Sequence, residues 1–465
     1  MTQVTGSHFQ HALQFREDTC IGCSHCMNVC PTEAIRVSSG KARLIPNRCI
    51  DCGECYRVCP VRAIVVEQDD FEEIYRYPTR VALIPGVFTG QFPDSVGPEQ
   101  IISAIYELGF THVAEVEEGV EFLCNQSNNY IGTNRETAPL ISSFCPAIVR
   151  LIQVKFPSLT GNIIRLKAPL DITALTIRYN LSKQGIPPED IGIFYVTPCA
   201  AKIVAVKNPV GEEHSAIDGV LNMNFVYNKV FRILRQKKGT SVNLPDSGLT
   251  SRAVTWSLTH GEADHMMAGR SLAIDQINNV IEFLEKIENE EISGVGFLEL
   301  RACDESCAGG ILCPGNRFLT VDRLRKRARA LSAVKPISNH QEEHYPQGLF
   351  THLQNNMELG KIQPRSMMKL DDQVMQAMIK MKRIYELNSV LPQVDCGICG
   401  SPSCKALSED IVQHNAHLRQ CIFVQRILEQ NDQMDPAESM KIMAGIWSDQ
   451  KLDKNKLKDK INDVS

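Results

Sequence analysis

The sequence predicts an α/β protein with a cysteine-rich module at each end, and three observations lead to this fold class. Strand-like and helix-like segments alternate between about residues 77 and 316, which is typical of mainly parallel sheets. Eight of the 18 cysteines lie between positions 20 and 59, in two similar segments. Four more lie between positions 396 and 421. We therefore expect four regions: 1–76, 77–365, 366–430 and a polar helical or disordered tail, 431–465.

The overall composition argues against several classes of protein. The 465 residues include 49 Lys and Arg against 54 Asp and Glu, and the net charge of −5 offers no bulk attraction for nucleic acid. No apolar run approaches the roughly 18 residues of a membrane span, and residues 1–10 lack a secretory signal pattern. We therefore expect a cytoplasmic protein without a nucleic-acid partner or a membrane span. In a reducing compartment, 18 cysteines favour metal binding or redox chemistry over disulfides.

The duplicated segments at the start are CIGCSHCMNVCPTEAI from Cys20 and CIDCGECYRVCPVRAI from Cys49, with an offset of 29 residues. Each has the form C-x2-C-x2-C-x3-C-P, which is typical of two-cluster bacterial ferredoxins, where the fourth cysteine binds the neighbouring cluster. The pattern predicts a ferredoxin-like α+β domain that relays electrons. One [4Fe–4S] cluster is assigned to Cys20, Cys23, Cys26 and Cys59, and the other to Cys49, Cys52, Cys55 and Cys30. Zinc, or a cysteine-rich fold without metal, is the alternative.

The middle region contains several predicted strands. They cover residues 81–87, 111–116, 139–143, 191–196 and 295–300, and Pro98 begins a helix that reaches Phe110. Ligands of parallel sheets usually bind beyond the carboxyl ends of the strands. Cys145, Cys199 and Cys303 each come two to four residues after a predicted strand, so one site could collect all three.

The carboxyl-terminal cysteines lie in DCGICGSPSCKALSEDIV and beyond. Cys396, Cys399 and Cys404 are followed after 17 residues by Cys421, and a helix over 408–420 is expected to carry Cys421 back to the group. This small helical module resembles the single [4Fe–4S] module of several anaerobic redox and corrinoid enzymes. Zinc is the alternative. The nearby His414 and His417 are interpreted as ordinary residues of a helix.

Three phrases of the middle region resemble, in order, the signature segments of the catalytic domain of [FeFe]-hydrogenases. They are SSFCP (142–146), TPCAAK (197–202) and ELRACDESCAGG (299–310), and AIYELGF (104–110) also has a counterpart in that domain. With the ferredoxin-like segment, the resemblance covers about two-thirds of the chain. It implies a two-lobed, parallel-sheet catalytic-type domain.

The resemblance also implies a ligand set. Carried over position by position, a [4Fe–4S] cubane would be held by Cys145, Cys199, Cys303 and Cys307. Cys307 would also bridge to a two-iron subcluster with CO, cyanide and a dithiolate. Lys202 would pair with one cyanide, because a buried ammonium group needs an anionic partner. Outside this motif Lys202 would be interpreted as a surface lysine.

Several positions depart from the catalytic pattern. Where catalytic members have a proton-carrying cysteine, this chain has Phe144, and the relay's next carboxylate is missing from residues 124–127. Thr197 and Arg301 replace two methionines. Cys313, in the loop of the third motif, is either an alternative proton or sulfur donor or a buried structural thiol, and Cys124 is interpreted as structural. These departures predict slow turnover, because proton transfer needs groups within hydrogen-bond reach.

The same departures resemble the sensory, group D-like branch of the family. The resulting hypothesis is an anaerobic iron–sulfur oxidoreductase that binds or slowly converts dihydrogen to protons and electrons, in a sensory or regulatory role. Arg301 is expected to add positive charge near the cyanide ligands and to favour electron-rich states. The protein would carry four [4Fe–4S] clusters, exchange electrons with a redox partner protein and act on a signalling partner.

Two other functions stay open. The first is a hydrogenase-like protein without the two-iron unit, which would serve electron relay or cluster assembly. The second is an electron carrier or adaptor that binds a partner through the basic linker from Arg323 or the tail around Trp447. The helical apolar spacing between Leu370 and Leu387 is interpreted as core or inter-domain packing.

Overall fold

The computed structural model describes residues 11–236, 248–334, 345–367, 370–449 and 451–452. The first ten residues, part of the basic linker and the end of the tail, on which sequence-based expectations fall, lie outside this description. The strands of the described residues are β1 (Leu13–Phe15), β2 (Ile35–Ser38), β3 (Lys41–Leu44), β4 (Ile64–Val66), β5 (Thr79–Ile84), β6 (His112–Glu115), β7 (Leu140–Ile141), β8 (Ile191–Thr197), β9 (Gly219–Asn222), β10 (Ser271–Ile274) and β11 (Phe297–Leu300).

The helices of the same residues are α1 (His25–Asn28), α2 (Glu54–Val58), α3 (Gly86–Thr89), α4 (Pro98–Glu107), α5 (Val120–Thr133), α6 (Pro146–Lys155), α7 (Pro169–Lys183), α8 (Ala200–Lys207), α9 (Met223–Gln236), α10 (Ser251–Thr255), α11 (Ile277–Glu288), α12 (Arg317–Val334), α13 (Gln347–Asn356), α14 (Val374–Val390), α15 (Cys404–Val412), α16 (Ile422–Gln430) and α17 (Pro436–Trp447). Among the described residues we find no helix with the length and apolar character that a membrane span requires.

The chain folds into two compact units. The larger unit covers Glu67–Arg365 together with Ile50–Cys52 and the segment up to Ala12, and the smaller unit covers Leu13–Cys49, Gly53–Val66 and the residues from Ser366 onward. The larger unit contains two parallel sheets, of strand order β6-β5-β8-β9 and β10-β11-β7. The predicted α/β class with parallel sheets is therefore confirmed. The four region boundaries expected from the sequence stay a prediction.

The four-stranded sheet forms where the sequence predicts it. Every residue of β8 is buried, as a strand with both faces covered requires. The strand predicted over 81–87 stops at Ile84, because Pro85 has no N–H for the ladder and the chain turns into α3. α4 begins at Pro98 as expected, since the missing N–H of proline costs nothing in the first turn of a helix.

The smaller unit contains an antiparallel pair, β1 with β4, and an antiparallel hairpin, β2 with β3. The helix predicted over 408–420 is wrong in its second half. α15 ends at Val412, His414 has a positive φ of 61°, and the N–H of Asn415 donates to the Asp410 carbonyl at 2.8 Å, which closes the helix end. A short 3₁₀ turn over 418–420 then leads to Cys421.

α14 corrects the interpretation of the apolar spacing near residues 370–387. Val374, Met378, Met381 and Tyr385 are exposed, by 45–77% of their surface, so the expected burial of these side chains is wrong. Ile384 is the buried residue of α14. Helical periodicity shows that a helix has an apolar face, but it does not show that another element covers this face.

Candidate metal centre

Cysteines from three distant segments meet in the larger unit. Cys145 precedes α6, Cys199 precedes α8, and Cys307 lies in the loop after β11. Burial, and then repulsion from the Cys307 and Cys145 thiolates, raises the pKa of Cys199 to about 12. Cys303 belongs to the same loop as Cys307, and its carbonyl accepts the Ser306 N–H at 3.1 Å. The carboxyl ends of β7, β8 and β11 thus bring together thiols that the sequence separates widely.

Lys202 lies against this group of thiols. Its side chain is 8% exposed, and its Nζ is 3.8 Å from the Cys307 Sγ. Burial by itself would lower the pKa of Lys202, but the anionic forms of Cys307, Tyr195 and Cys199 outweigh it, so the pKa is raised. A buried ammonium group needs an anionic partner. The site therefore suits an anionic metal cluster better than a neutral ligand.

Two cations lie over the ring of Phe144. The Lys202 Nζ is 4.6 Å from the ring centroid, and the guanidinium carbon of Arg301 is 3.9 Å from it. Both distances fall within the range of cation–π attraction. Phe144, which is 6% exposed, thus has two cationic neighbours and carries no exchangeable proton on its side chain.

Arg301 is fully buried and has two acidic partners. Its Nη2 donates to the Glu262 Oε2 at 2.8 Å, and its Nε lies 3.5 Å from the Glu299 Oε1. The Ser142 hydroxyl donates to the same Glu262 oxygen at 2.6 Å and accepts the Phe144 N–H at 3.1 Å. These carboxylates offset the guanidinium charge. The expected effect of Arg301 on the electron-rich states of a bound cluster stays a prediction.

A small cavity of about 90 Å³ opens beside Phe144 and Lys202. Its wall is mostly apolar, and Lys167 and Glu212 form an ion pair in it. The carboxyl group of Asp171 also lines it, and burial raises the pKa of that group. The cavity provides space for a compact, largely apolar group next to the ammonium of Lys202.

Cys313 and Cys124 both lie beside other protein groups. The Cys313 Sγ lies 3.7 Å from the Met223 Sδ and 3.5 Å from the Cys307 carbonyl oxygen. Cys124 is buried on α5, 3.9 Å from the Asn128 Nδ2, and burial raises its pKa to about 11. The roles that the sequence suggests for these two thiols stay predictions.

Sequence reasoning missed two acidic residues that follow β6, of which Glu117 is buried and Glu118 is exposed. Burial raises the pKa of Glu117 to about 7, with a further contribution from Glu115. The Gly86 N–H donates to the Glu117 Oε1 at 2.7 Å. The signal that could have found these groups is an acidic pair directly after a predicted strand, upstream of residues 124–127.

Glu117 makes the stability of the larger unit pH-dependent. Its pKa in the fold, about 7, lies above the ordinary value of 4.5, so the fold favours the neutral carboxyl group. That stabilisation is complete below pH 4.5 and is lost as the pH rises through 7. Between about pH 5 and pH 8, the free energy of unfolding of the wild type should fall by about 1–3 kcal/mol because of Glu117, and Glu117→Gln should lack this fall. Denaturant unfolding of both proteins at both pH values measures it. Equal pH dependence in the two proteins would contradict this assignment.

The first ferredoxin-like cysteine set is collected in the smaller unit. Burial, and then repulsion from Cys23, Cys20 and Cys59, raises the pKa of Cys26 to about 12. Cys59 therefore lies with the cysteines of the other repeat, as the interleaved pattern expects. The Ala42 N–H donates to the Cys20 Sγ at 3.4 Å, which suits a sulfur that carries negative charge.

Of the second set, Cys49 and Cys55 are buried, while Cys30 and Cys52 are half-buried. The Ala34 N–H donates to the Cys30 Sγ at 3.2 Å. The Ala63 N–H donates to the Cys59 Sγ in the same way, also at 3.2 Å. In both halves of the repeat, therefore, the fourth cysteine accepts a hydrogen bond from the backbone four residues later.

The carboxyl-terminal cysteines also meet. Cys396, Cys399, Cys404 and Cys421 line one pocket, and burial and then repulsion from the other three raise the pKa of Cys399 to about 11. Cys404 and Cys421 belong to a buried apolar cluster with Leu391, Leu407 and Ala416. Within the described structure neither His414 nor His417 lines the pocket. Four thiols without a histidine suit a [4Fe–4S] cluster, and also zinc.

Comparison with known proteins assigns these regions. Residues 80–249 match the family described as iron only hydrogenase large subunit, C-terminal domain, and this segment includes Cys145, Cys199 and Lys202. Residues 12–60 match a 4Fe-4S dicluster domain, and residues 391–423 match a family described by an Fe-S cluster. The chain is a hydrogenase-like iron–sulfur protein. The matches support [4Fe–4S] clusters in this hydrogenase-like chain.

Two curated relatives are hydrogenase subunits. The chain is 25% identical over 211 residues to the NADP-reducing hydrogenase subunit HndD of Solidesulfovibrio fructosivorans. That match covers 43% of this chain and 33% of that protein. It is 30% identical over 220 residues to the periplasmic [Fe] hydrogenase large subunit of Nitratidesulfovibrio vulgaris. That match covers 41% of this chain and 50% of that protein. This hydrogenase-like chain thus spans a third to a half of the length of the curated relatives it matches. The solved [FeFe]-hydrogenase HydA1 of Chlamydomonas reinhardtii is 15% identical, with a TM-score of 0.48, over 63% of this chain and 98% of that chain.

Proposed function

We propose that this protein binds dihydrogen at a six-iron site, converts it slowly to two protons and two electrons, and uses this reaction for sensing or regulation. The observation that carries the proposal is the buried ammonium of Lys202. It lies 3.8 Å from the Cys307 Sγ and lines a cavity of about 90 Å³. An anionic ligand bound beside this lysine would offset the cost of burying its charge.

In this proposal Cys145, Cys199, Cys303 and Cys307 hold a cubane, and the two-iron unit occupies the cavity beside Lys202. When bound, that unit supplies the open metal position at which dihydrogen is split. Lys202 holds an anionic ligand of the unit through charge and hydrogen bonding. The apolar wall of the cavity excludes water from it. Twelve further cysteines hold three more [4Fe–4S] clusters, which carry the electrons to a redox partner.

Slow proton transfer supports a sensory role. Phe144 lies where a proton carrier is expected, and the two cations beside its ring cannot accept a proton. The carboxyl group of Glu262 in this network binds Arg301 and Ser142. Without a chain of groups within hydrogen-bond reach, proton release limits the rate. A protein that binds dihydrogen but turns over slowly reports its presence without consuming it.

A second candidate function is a cluster-binding protein without the two-iron unit, which would act in electron relay or cluster assembly. One contact favours it. The ring of Phe144 lies 4.6 Å from the Lys202 Nζ and gives the ammonium an attractive neighbour in the absence of cyanide.

Infrared spectroscopy distinguishes the two functions. We expect anaerobic protein supplied with the two-iron unit to show iron-bound CO and cyanide bands that move under hydrogen. Lys202→Met should lose these bands while keeping the iron and sulfide of its four cubanes. The matched control is Lys207→Met on the same helix, whose lysine pairs with Asp69 at 2.5 Å at the surface and whose bands should match the wild type. Wild-type protein with four cubanes and no bands would favour the second function.

A further inference from the structure

The loop that carries the last cysteine group lies directly against the ferredoxin-like segment of the same unit. Gly397 has a φ of +71°, and a Cβ built on it would lie 3.0 Å from the Met27 Cε. The Gly400 carbonyl accepts the Val37 N–H at 2.8 Å, and a Cβ built on Gly400 would lie 2.3 Å from the Val37 oxygen. Only glycine permits this close approach. Two cysteine-bearing loops are therefore in van der Waals contact.

α17 extends this contact to the turn between β2 and β3. The Gly445 and Ile446 carbonyls accept the Ser39 and Gly40 N–H groups at 2.9 and 2.8 Å. The Trp447 Nε1 then donates to the Ile398 carbonyl at 2.7 Å, between Gly397 and Cys399. Backbone N–H groups of β2 and of the turn after it thus hold the last cysteine module in place.

Two ion pairs fix the orientation of this module. Arg36 of β2 donates to Asp410 of α15 at 2.5 Å, and Arg48 donates to Glu409 of the same helix at 2.5 Å. All four side chains are at most 12% exposed, so the pairs are little screened by solvent. Asp410 also accepts the Ser401 hydroxyl at 2.9 Å, which links the pair to the cysteine loop itself.

We infer that the carboxyl-terminal cluster exchanges electrons directly with the first ferredoxin-like cluster, that of Cys20, Cys23, Cys26 and Cys59. Met27, which touches Gly397, directly follows Cys26. Gly40, which binds the end of α17, lies against Gly22, between Cys20 and Cys23. One electron leaves one cubane and enters the other, with no bond made or broken. The inference needs the clusters of the proposed function but not the two-iron unit.

Paramagnetic resonance of the fully reduced protein tests this inference. We expect the signals of the two clusters to show a magnetic interaction in the wild type. The double variant Glu409→Gln/Asp410→Asn keeps all sixteen proposed ligands but loses both buried ion pairs, so the interaction should weaken while the iron content stays the same. The matched control is Glu386→Gln/Asp371→Asn on and before α14, which removes the same charge from pairs with Lys382 and Lys380 and should leave the interaction unchanged.

A second variant keeps the test decisive if the first fails to fold. Cys421→Ser removes one ligand of the last cluster, and the ferredoxin-like signal should then keep only the interaction between its own two clusters. A ferredoxin-like signal in the wild type that equals the one in Cys421→Ser would overturn the inference. Hydrogen-responsive infrared bands in that same sample would leave the proposed function standing, so the two failures are distinguishable.

Discussion

Replacing Glu262 with alanine should destabilise the larger unit by about 3–5 kcal/mol, the cost of removing one partner from a buried ion pair. Arg301 is 1% exposed and would keep two longer contacts, to Glu299 at 3.5 Å and to the Trp256 carbonyl at 3.4 Å. The Ser142 hydroxyl would also lose its acceptor. The free energy of unfolding in denaturant, measured without oxygen on the wild type and the variant, gives this cost.

Two variants check the origin of the effect. Glu262→Ala/Arg301→Met removes both charges and should recover most of the lost stability, since replacing a whole buried pair is often neutral. Glu285→Ala breaks the exposed pair with Lys155, which has a distance of 2.9 Å, and should cost less than about 1 kcal/mol. If Glu262→Ala lowers the free energy of unfolding no more than Glu285→Ala does, Glu262 does not stabilise the buried charge of Arg301.

The sequence predicted those features that short segments determine. The apolar run of β8 between Asp190 and Pro198 has one plausible structure, a buried strand, and Pro98 fits one position of a helix. The convergence of Cys145 and Cys307 also followed from a general rule, because β7 and β11 pair in parallel and their carboxyl ends share one edge of a sheet. Local propensity and chain direction are sufficient for all of these features.

The contacts around Phe144 depend on residues far apart in the chain, and no pattern in the sequence joins them. Glu262 and Arg301 are 39 residues apart, and Ser142 and Glu262 are 120 apart. The sequence therefore showed Arg301 as an isolated charge, whereas the fold provides two carboxylates for it. The exposed face of α14 was missed for a related reason, since an apolar stripe has the same spacing whether or not it is covered.

Replacing Phe144 with cysteine should raise the rate of hydrogen conversion by about 10²-fold or more, the range that a positioned proton carrier contributes. The side chain of residue 144 borders the cavity next to Lys202, so a thiol there would lie where the ring now blocks proton transfer. The measurement is hydrogen oxidation with an artificial electron acceptor, in protein loaded with the two-iron unit. Infrared bands of both proteins would establish equal loading.

Phe144→Cys should also lower the stability of the protein, and this separates the loss of the ring from the gain of a thiol. Loss of the ring removes the attraction to Arg301 at 3.9 Å and to Lys202 at 4.6 Å, so stability should fall by about 1–3 kcal/mol. Phe144→Ser is the matched control, because serine opens nearly the same space but its hydroxyl is a far weaker acid than a thiol. It should show the same loss of stability with little gain in rate. If serine accelerates the reaction as much as cysteine, the ring limits access to the cavity, and proton delivery is not the step that Phe144 suppresses.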